Sequence, residues 1–349
     1  MVLKSLNLRN FRSYTKSGFN FNKNITIIIG PNAVGKTNII EAIYMLSTGK
    51  SFRTDKDKQI LRIGQKVCNV KGVVEDELEI IFSETSTGFL QKKYMINGVS
   101  KKRSDFATKM PVVLFTPVDL DLVAGQPGVR RKFLDEVLTQ VDPEYHQALI
   151  LYGKALRQRN ALLEQAQETG ARDDKLFAYW DDLLIKNGQS ISGKRAKLIE
   201  YINNRTKEIF DFDMIYDQSV ISEERLLQYK NAEVGAGVTL VGPHRDDVMI
   251  KSLNKLSKTK EEVRYFGSRG QQRLVSLELK LAQIAIIKER TANEPLLLLD
   301  DVFSELDSGN ITHVLNLMNL YQTIATTTHE EFVGKHDLRN LEMLRLDSK

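Results

Sequence analysis

The run Gly30-Pro31-Asn32-Ala33-Val34-Gly35-Lys36-Thr37 matches the phosphate-binding pattern G-x-x-x-x-G-K-[ST] at every required position. In such a loop, glycines let backbone N–H groups curve around phosphate oxygens, and the helix that follows presents its positive end to the same anion. Lys36 is expected to neutralise the β- and γ-phosphates of a nucleotide, and the Thr37 hydroxyl to be one ligand of Mg²⁺. The pattern therefore predicts an ATP and Mg²⁺ site that includes Gly30, Asn32, Gly35, Lys36, Thr37 and Asn38.

Two adjacent carboxylates, Asp300 and Asp301, follow the apolar run 296–299. A buried strand tipped with acid is what a Walker B element needs, because its first carboxylate must approach the hydrated Mg²⁺ beside the phosphate loop. We therefore assign Asp300 to the metal. Asp301 is predicted to act with Lys36 in catalysis by orienting or deprotonating the attacking water, which requires a carboxylate within hydrogen-bond reach.

A third polar segment, Ser268-Arg269-Gly270-Gln271, comes just before a run in which leucines recur at helical spacing. A glycine-containing helix start can bind an anion, but serine at such a position is also an ordinary helix cap. The residues alone leave both interpretations open.

The order of these segments resembles that of the ABC-type ATPases: a phosphate loop near the amino terminus, a Ser-x-Gly-Gln helix start, and then a strand with paired acids. In that family the serine helix caps the γ-phosphate of a nucleotide held by the opposite subunit. The resemblance therefore implies nucleotide contacts from Ser268, Gly270 and Gln271, and an active homodimer that forms with ATP. It also implies a D-loop contact from Asp307 and a switch histidine at His329.

Several longer stretches resemble the RecF branch of this family, over nearly the whole chain. The opening stretch, 6–14, resembles the first strand of the DNA-repair ABC ATPases, where an arginine at the position of Arg12 tends to lie near the nucleotide. The other stretches are 115–127, 130–135 and the Gly-Pro-His-Arg-Asp-Asp run 242–247, which is a family marker with no physical derivation from the sequence.

The RecF resemblance implies an ATP-driven dimer that clamps double-stranded or gapped DNA and helps to load recombinase at single-strand gaps. It implies RecR and RecO as partners, in DNA replication, the repair of DNA damage and the SOS response. Because Asp301 is one methylene shorter than the glutamate of faster relatives, hydrolysis is expected to be slow, with DNA stimulating it. Ala33 stands where glycine is usual, so we expect this residue to avoid positive φ or the loop to shift slightly. Arg269 replaces the first glycine of the general ABC signature, in keeping with the RecF branch.

The positions of the motifs predict an α/β fold. The run 25–29 is expected to be a buried parallel strand, and 67–99 an antiparallel patch with a type I′ turn at Asn97-Gly98. The segment 128–210 carries helical spacing, broken near Gly170. We predict an ABC-type P-loop ATPase head, a mixed sheet with a flanking antiparallel β patch, formed by 1–115 and 236–349. An inserted α-helical lobe occupies 116–235.

Composition limits the remaining possibilities. The 349 residues contain one cysteine, Cys68, so neither an internal disulfide nor a thiol zinc site can form, and a reducing cytoplasm fits best. The sequence has no signal peptide and no apolar run long enough to cross a bilayer. The net charge of +5 favours polyanions mildly. The candidates for DNA phosphate contacts are Lys92, Lys93, Lys101, Lys102, Arg103, Arg130, Arg131 and Lys132.

Two other functions use the same phosphate loop. The ATP-hydrolysing subunit of a membrane transporter would need a groove for a coupling helix, and DNA should neither bind nor stimulate it. A P-loop kinase would transfer a phosphoryl group and have no use for Ser268. Relatives with long coiled-coil arms are excluded, because the segment between the two halves of the head is far too short for such arms.

Overall fold

The computed structural model describes residues 2–54, 56–107, 109–253, 258–304, 308–328, 338 and 340–347. The chain divides into two compact units, Met1–Asp119 with Gln283–Lys349, and Leu120–Ala282. The expected lobe, 116–235, ends before the second unit does. That unit continues to Ala282 because strands beyond 235 pair with a strand before it and pack on its helices.

Both units contain strands and helices. The strands are β1 (Ser5–Phe11), β2 (Tyr14–Asn20), β3 (Ile25–Ile29), β4 (Val67–Val73), β5 (Glu77–Glu84), β6 (Leu90–Ile96), β7 (Val99–Lys101), β8 (Val112–Phe115), β9 (Asp213–Asp217), β10 (Asp247–Leu253), β11 (Lys260–Glu262), β12 (Leu296–Asp300), β13 (Thr323–Thr327) and β14 (Leu341–Arg345). The helices are α1 (Lys36–Thr48), α2 (Arg103–Phe106), α3 (Asp121–Ala124), α4 (Pro127–Val141), α5 (Pro143–Thr169), α6 (Asp174–Asn204), α7 (Glu223–Gln228), α8 (Lys230–Ala236), α9 (Val263–Phe266), α10 (Arg269–Thr291) and α11 (Ser308–Leu320). Of the described helices, none is long and apolar enough to cross a membrane.

A parallel sheet in the order β14-β3-β13-β12-β8 forms the centre of the first unit. All residues of β3, β12 and β13 are buried. Burial on both faces explains why β3 and β12 are almost continuous apolar runs without alternation, whereas β13 buries three threonines. The predicted strand at 25–29 is confirmed. In parallel pairing the carboxyl ends of β3, β12 and β13 meet at one edge, where β3 continues into the phosphate loop and β12 into Asp301.

An antiparallel sheet in the order β2-β1-β4-β5-β6-β7 forms a second layer of the same unit. The predicted patch is confirmed, and β1 and β2 extend it. Asn97 and Gly98 both have positive φ, 50° and 75°, as a type I′ turn requires. Helix α1 contacts strands of both sheets, and its apolar residues, such as Ile39 and Ile43, are fully buried in a shared core.

Helices α5 and α6 pack against each other and dominate the second unit. The Asp142 carboxylate accepts a hydrogen bond from the Tyr145 N–H at 2.9 Å, which makes it the N-cap of α5. Gly170, with φ 71°, ends that helix, so the predicted break between two helices is confirmed. The described strands of this unit form the antiparallel sheet β11-β10-β9.

The run 242–247 holds a buried polar network in the second unit. Asp246 is 1% exposed and accepts hydrogen bonds from Arg195 at 3.0 Å, from the Ser219 N–H at 2.8 Å and from Tyr216. Asp247 binds Arg130 through both carboxylate oxygens, at 2.8 and 3.0 Å. A buried charge needs a partner and hydrogen bonds to offset its desolvation. The two aspartates of the run 242–247 therefore have a structural role, which is to pair with buried arginines.

Candidate nucleotide-binding site

The phosphate loop is held close to its neighbours. A Cβ atom on Gly30 would lie 2.6 Å from the Leu346 carbonyl oxygen, and one on Gly35 would lie 2.9 Å from the Tyr14 hydroxyl. Gly35 also has φ 113°, a conformation that side chains rarely adopt. Tyr14 donates a hydrogen bond to the Gly35 carbonyl at 3.3 Å, so β2 contacts the end of the loop. Both glycines are therefore required by space.

The amino end of α1 offers N–H groups to an anion. The N–H groups of Asn38 and Ile39 donate to the Gly35 carbonyl at 3.0 and 3.3 Å. Those of Lys36 and Thr37 lie in the first turn, where a helix supplies no acceptor. Backbone donors and the helix dipole therefore point to where the sequence predicts phosphate.

Ala33 has φ 64°, in the left-handed region. We expected this residue to avoid positive φ or the loop to shift, and the first of these expectations is wrong. The loop takes the backbone that glycine would favour and tolerates a methyl group there. For an L-residue this conformation costs about 1–2 kcal/mol. Asn32, the preceding residue, is exposed on the loop.

Lys36 lies along the loop and is 8% exposed. Its ammonium group donates to the carbonyls of Gly30 and Pro31, at 2.6 and 2.9 Å. Burial lowers the pKa of Lys36, and the negative charges of Asp301 and Asp300 oppose that shift. The predicted catalytic lysine therefore lies close enough to both predicted carboxylates for their charges to affect its pKa.

Asp300 is 7% exposed at the end of β12. Its Oδ1 atom accepts hydrogen bonds from Thr37 and Thr326, each at 2.9 Å. Burial raises the pKa of Asp300, and the two hydroxyl hydrogen bonds oppose the rise. Among the described residues, none donates to Oδ2, which leaves that oxygen for a cation. Thr37 and Asp300, the two predicted Mg²⁺ ligands, are thus in direct contact.

Thr326 was not predicted from the sequence, although it links both acids. It is fully buried on β13, where the strand register sets it opposite Asp300. Its hydroxyl donates to Asp300 and accepts from the Asp301 N–H at 3.0 Å. Asp301 has φ 52°, and this hydrogen bond restrains its left-handed backbone. Only the adjacency of β12 and β13 identifies the residue.

Arg12 contacts Glu41, which is fully buried on α1. Its Nε atom donates to Glu41 Oε2 at 2.9 Å, and its Nη2 atom to Oε1. Arg53, a second residue that the sequence did not single out, donates to Asn38 at 3.0 Å and reaches Glu41 at 3.4 Å. Its positive charge also opposes the raised pKa of Asp300. The side chain of Arg53 is 42% exposed and that of Arg12 is 16% exposed, so Arg53 is the more accessible of the two arginines.

The Ser-x-Gly-Gln segment is a capping box in the second unit. Gln271 accepts from the Ser268 N–H at 2.8 Å, and the Gln271 N–H donates to the Ser268 hydroxyl at 3.2 Å. Ser268 and Gln271 are exposed, and α10 begins directly after Ser268. A Cβ atom on Gly270 would lie 3.8 Å from Ser268 Oγ, an ordinary van der Waals distance, so space alone does not require glycine there. Ser268 therefore acts as the helix cap, and the start of α10 is exposed to solvent.

Two predicted contacts, Asp307 and His329, lie outside the described residues.

Three of the predicted phosphate-contacting cations are used inside the protein. Lys92 binds Asp57 at 2.8 Å, and Arg103 donates twice to the Thr48 carbonyl, at 3.1 and 2.8 Å. Arg130 is 4% exposed in its pair with Asp247. Arg130 is wrong as a phosphate contact because its side chain is buried. Lys92 and Arg103 each satisfy an internal acceptor, and their phosphate contacts stay predictions. Arg131 is half-buried and donates to the Asp246 carbonyl. The exposed candidates are Lys93, Lys101, Lys102 and Lys132.

Comparison with known proteins gives one consistent result. The chain matches the family described as RecF/RecN/SMC N terminal domain over residues 2–344. It is similar to the DNA replication and repair protein RecF of Shouchella clausii (strain KSM-K16), at 37% identity over 356 residues, which cover 94% of this chain and 93% of the relative. The similarity therefore spans both units.

Two solved structures of the recombination mediator protein RecF in the RecFOR pathway are also similar, each at 29% identity. The RecF-ATPrS structure has a TM-score of 0.84 and covers 99% of this chain and 97% of its own. The RecF-ATP structure has a TM-score of 0.83 and covers 98% of this chain and 95% of its own. The fold that carries the phosphate loop here is thus also the fold of a protein solved with ATP.

Proposed function

Since the chain belongs to the RecF family, within the RecF/RecN/SMC N-terminal domain group, we propose that it is an ATP-dependent DNA-binding protein of recombinational repair. The observation that carries the proposal is the contact between Thr37 and Asp300 beside a buried Lys36. That arrangement joins a phosphate loop to an acid-tipped strand, and an ordinary structural turn has no need of it.

The residues present fit ATP and Mg²⁺. Lys36 and the first N–H groups of α1 would hold the β- and γ-phosphates, and Thr37 with Asp300 Oδ2 would hold the metal ion. When bound, Mg²⁺ neutralises charge that develops on the phosphates. Asp301 would orient water from its restrained backbone. The short reach of its side chain supports slow hydrolysis, which DNA would stimulate.

We further propose that ATP joins two copies of the chain. Ser268 and Gln271, at the start of α10, are exposed, as a contact to the nucleotide of a second copy requires. Such a dimer would close on double-stranded or gapped DNA. The two solved relatives are recombination mediator proteins of the RecFOR pathway, which supports recombinase loading at gaps with RecR and RecO as partners.

The rival function, an ATP-hydrolysing transporter subunit, has the same phosphate loop. The similarity of nearly the full chain to DNA repair proteins favours the repair function. The two functions differ in one direct measurement, because a transporter subunit has no reason to bind DNA when it binds ATP.

The experiment measures the size of the protein by gel filtration with and without Mg-ATP, and its binding to gapped and intact duplex DNA at two salt concentrations. Steady-state hydrolysis with and without DNA is followed in the same samples. We expect Mg-ATP to convert monomer to dimer and to strengthen DNA binding. The Lys36→Ala variant should lose nucleotide binding, whereas Ser268→Arg should bind ATP as a monomer.

The matched control is Ser222→Arg, a substitution at another serine helix cap of the second unit. A wild-type protein that stays monomeric with Mg-ATP, or a Ser268→Arg variant that dimerises as well as Ser222→Arg, contradicts the proposed dimer. Absence of DNA binding in every nucleotide state contradicts the repair function.

A further inference from the structure

The outward face of the antiparallel sheet carries a row of cations that the linear sequence does not reveal. Lys16 on β2 lies opposite Arg9 on β1, and Lys93 on β6 lies in the same row. Asn69 and Ile81 fill the two positions between Arg9 and Lys93. We call Arg9, Lys16 and Lys93 the basic row. Five strands with a spacing of about 4.8 Å make it about 19 Å long.

The basic row faces away from the core. Side chains alternate along a strand, and the neighbours Leu8 and Phe82 point into the core with at most 2% exposure. Arg9, Lys16 and Lys93 are all exposed. The row therefore lies on the solvent face of the sheet.

The row is not neutralised by the protein. Other lysines of the same sheet have partners, such as Lys71 with Glu77 at 2.7 Å and Lys92 with Asp57 at 2.8 Å. No carboxylate of the described residues comes within 4.0 Å of the three cations of the row. Like charges directly opposite each other in a sheet are destabilising. Folding gains nothing from the Arg9–Lys16 pair, and both charges are available to an external anion.

Exposed apolar side chains lie at one end of the same sheet. They are Ile63, 98% exposed, Phe89, 75%, and Val67, 49%, and we call them the apolar rim. Backbone hydrogen bonds bring their segments together. The Arg62 N–H donates to Asn10 at 2.8 Å, next to Arg9. The Glu84 N–H donates to the Lys66 carbonyl at 2.8 Å, next to Val67. Leu90, the residue after Phe89, pairs with Glu84 across the β5–β6 hairpin.

We propose that the basic row and the apolar rim form one DNA-binding face, which recognises the edge of a single-strand gap. Phosphates of the duplex would contact the basic row, and unpaired bases would pack on the apolar rim. Phosphate contacts position a protein on DNA without reading sequence, whereas exposed bases stack on aromatic and apolar side chains. An intact duplex hides its base faces, so the rim gives a preference for gaps. This inference rests on the proposed DNA-binding function.

The charge test uses Arg9→Gln, Lys16→Gln and Lys93→Gln in one variant. Its control, Lys4→Gln with Lys23→Gln and Lys197→Gln, removes the same charge from exposed lysines outside the row. DNA affinity is measured with Mg-ATP over a series of salt concentrations. We expect the row variant to weaken binding to gapped and intact duplexes alike, and its log–log salt slope to fall in magnitude by about 2.7, which is 0.9 for each lost phosphate contact.

The rim test uses Ile63→Ser with Phe89→Ser. Its control is Val118→Ser with Leu227→Ser, two residues with 62% and 71% exposure elsewhere. We expect the rim variant to bind gapped DNA about 5- to 100-fold more weakly, as for the loss of one stacked base, and to bind intact duplex as before. Unfolding midpoints of the rim variant and of both controls should match the wild type, since every altered side chain is exposed. The row variant should be at least as stable as the wild type, because it removes the Arg9–Lys16 repulsion.

The outcomes separate the two levels of the proposal. A wild-type protein that binds no DNA contradicts the proposed function itself. A wild-type protein that binds DNA, with a row variant no weaker than its charge-matched control, overturns the inference alone. Equal loss of gapped and intact binding in the rim variant also overturns it. So does a rim variant that keeps its DNA binding and loses only a protein partner.

Discussion

Removing the hydroxyl group of Thr326 should damage the metal site and leave the fold largely intact. Valine has nearly the same shape as threonine, so Thr326→Val removes the hydrogen bond to Asp300 and the acceptor for the Asp301 N–H without opening a cavity. Thr326→Ser is the matched control, because it keeps the hydroxyl and removes only a methyl group. Thr326 is thus tested as a positioning residue.

The magnitude follows from two hydrogen bonds. A hydrogen bond to a charged group contributes about 1.5–3 kcal/mol, and an unsatisfied buried N–H costs about 1–3 kcal/mol. Because Asp301 is half-buried, water can partly replace the second contact. We therefore expect Thr326→Val to lower the free energy of unfolding by about 2–4 kcal/mol, and Thr326→Ser by about 1 kcal/mol through its lost methyl group.

The assay that separates positioning from stability is Mg²⁺ dependence as a function of pH. The Thr326 hydroxyl opposes the rise that burial causes in the pKa of Asp300, so its loss should raise that pKa further. A protonated Asp300 cannot bind the metal. The acid limb of Mg-ATP binding should therefore move to higher pH in Thr326→Val, and the Mg²⁺ concentration for half-saturation should rise. Thr326→Ser should behave as the wild type.

An unchanged acid limb in Thr326→Val would refute this reasoning, even if the variant were less stable. So would the same shift in Thr326→Ser, since that variant keeps both hydrogen bonds. Nucleotide binding can be followed by competition with a fluorescent ATP analogue, which does not depend on the rate of hydrolysis.

Two further predictions concern the loop and the second unit. Ala33→Gly should raise the free energy of unfolding by about 0.5–1 kcal/mol, because relief of the left-handed strain exceeds the added entropy of glycine in the unfolded chain. A denaturant midpoint equal to or below that of the wild type would contradict this prediction. Burial lowers the pKa of His244 to about 4, with Tyr152 at 2.7 Å on Nδ1 and the Thr239 carbonyl at 3.1 Å on Nε2. The unfolded chain takes up this proton below about pH 6.5 and the folded chain does not, so stability should fall by up to about 3 kcal/mol between pH 6.5 and 4. His244→Gln should remove that part of the pH dependence, and identical pH profiles for the two proteins would show that another group is responsible.

Local sequence rules predicted the parts of the site that lie on one continuous segment. The strand 25–29 and the phosphate loop follow each other directly, so apolar runs, glycines and helical spacing were enough. The type I′ turn at Asn97-Gly98 was predicted for the same reason, since both residues favour positive φ. Ala33 went against its own propensity, because the geometry of the loop overrides the preference of a single residue.

Contacts between distant segments could not be predicted in this way. Thr326 faces Asp300 only because β13 lies beside β12, and Glu41 binds Arg12 only because the turn between β1 and β2 lies beside α1. The candidates for DNA phosphate contacts were uncertain for the same reason, because sequence clusters do not show which side chains are buried. Clusters along the sequence, such as Arg130 in its basic run, suggested phosphate contacts, yet strand and helix packing buried Arg130. Strand register instead places Lys93 in one row with Arg9 and Lys16, which are more than 75 residues before it in the sequence.

Strained backbone at the site has a consistent physical basis. Arg12, Ala33 and Asp301 all have positive φ, between 50° and 64°, and such residues cost about 1–3 kcal/mol each. Two of them are held by specific contacts: the Arg12 N–H donates to Ile60 at 2.9 Å, and the Asp301 N–H donates to Thr326 at 3.0 Å. Strain of this kind persists only where the surrounding core determines the conformation. Because the core between the two sheets restrains the backbone at these positions, less binding energy would be spent on arranging the loop and the acids around a nucleotide. In the proposed dimer, the energy that ATP contributes would then act on the contact between the two copies of the chain.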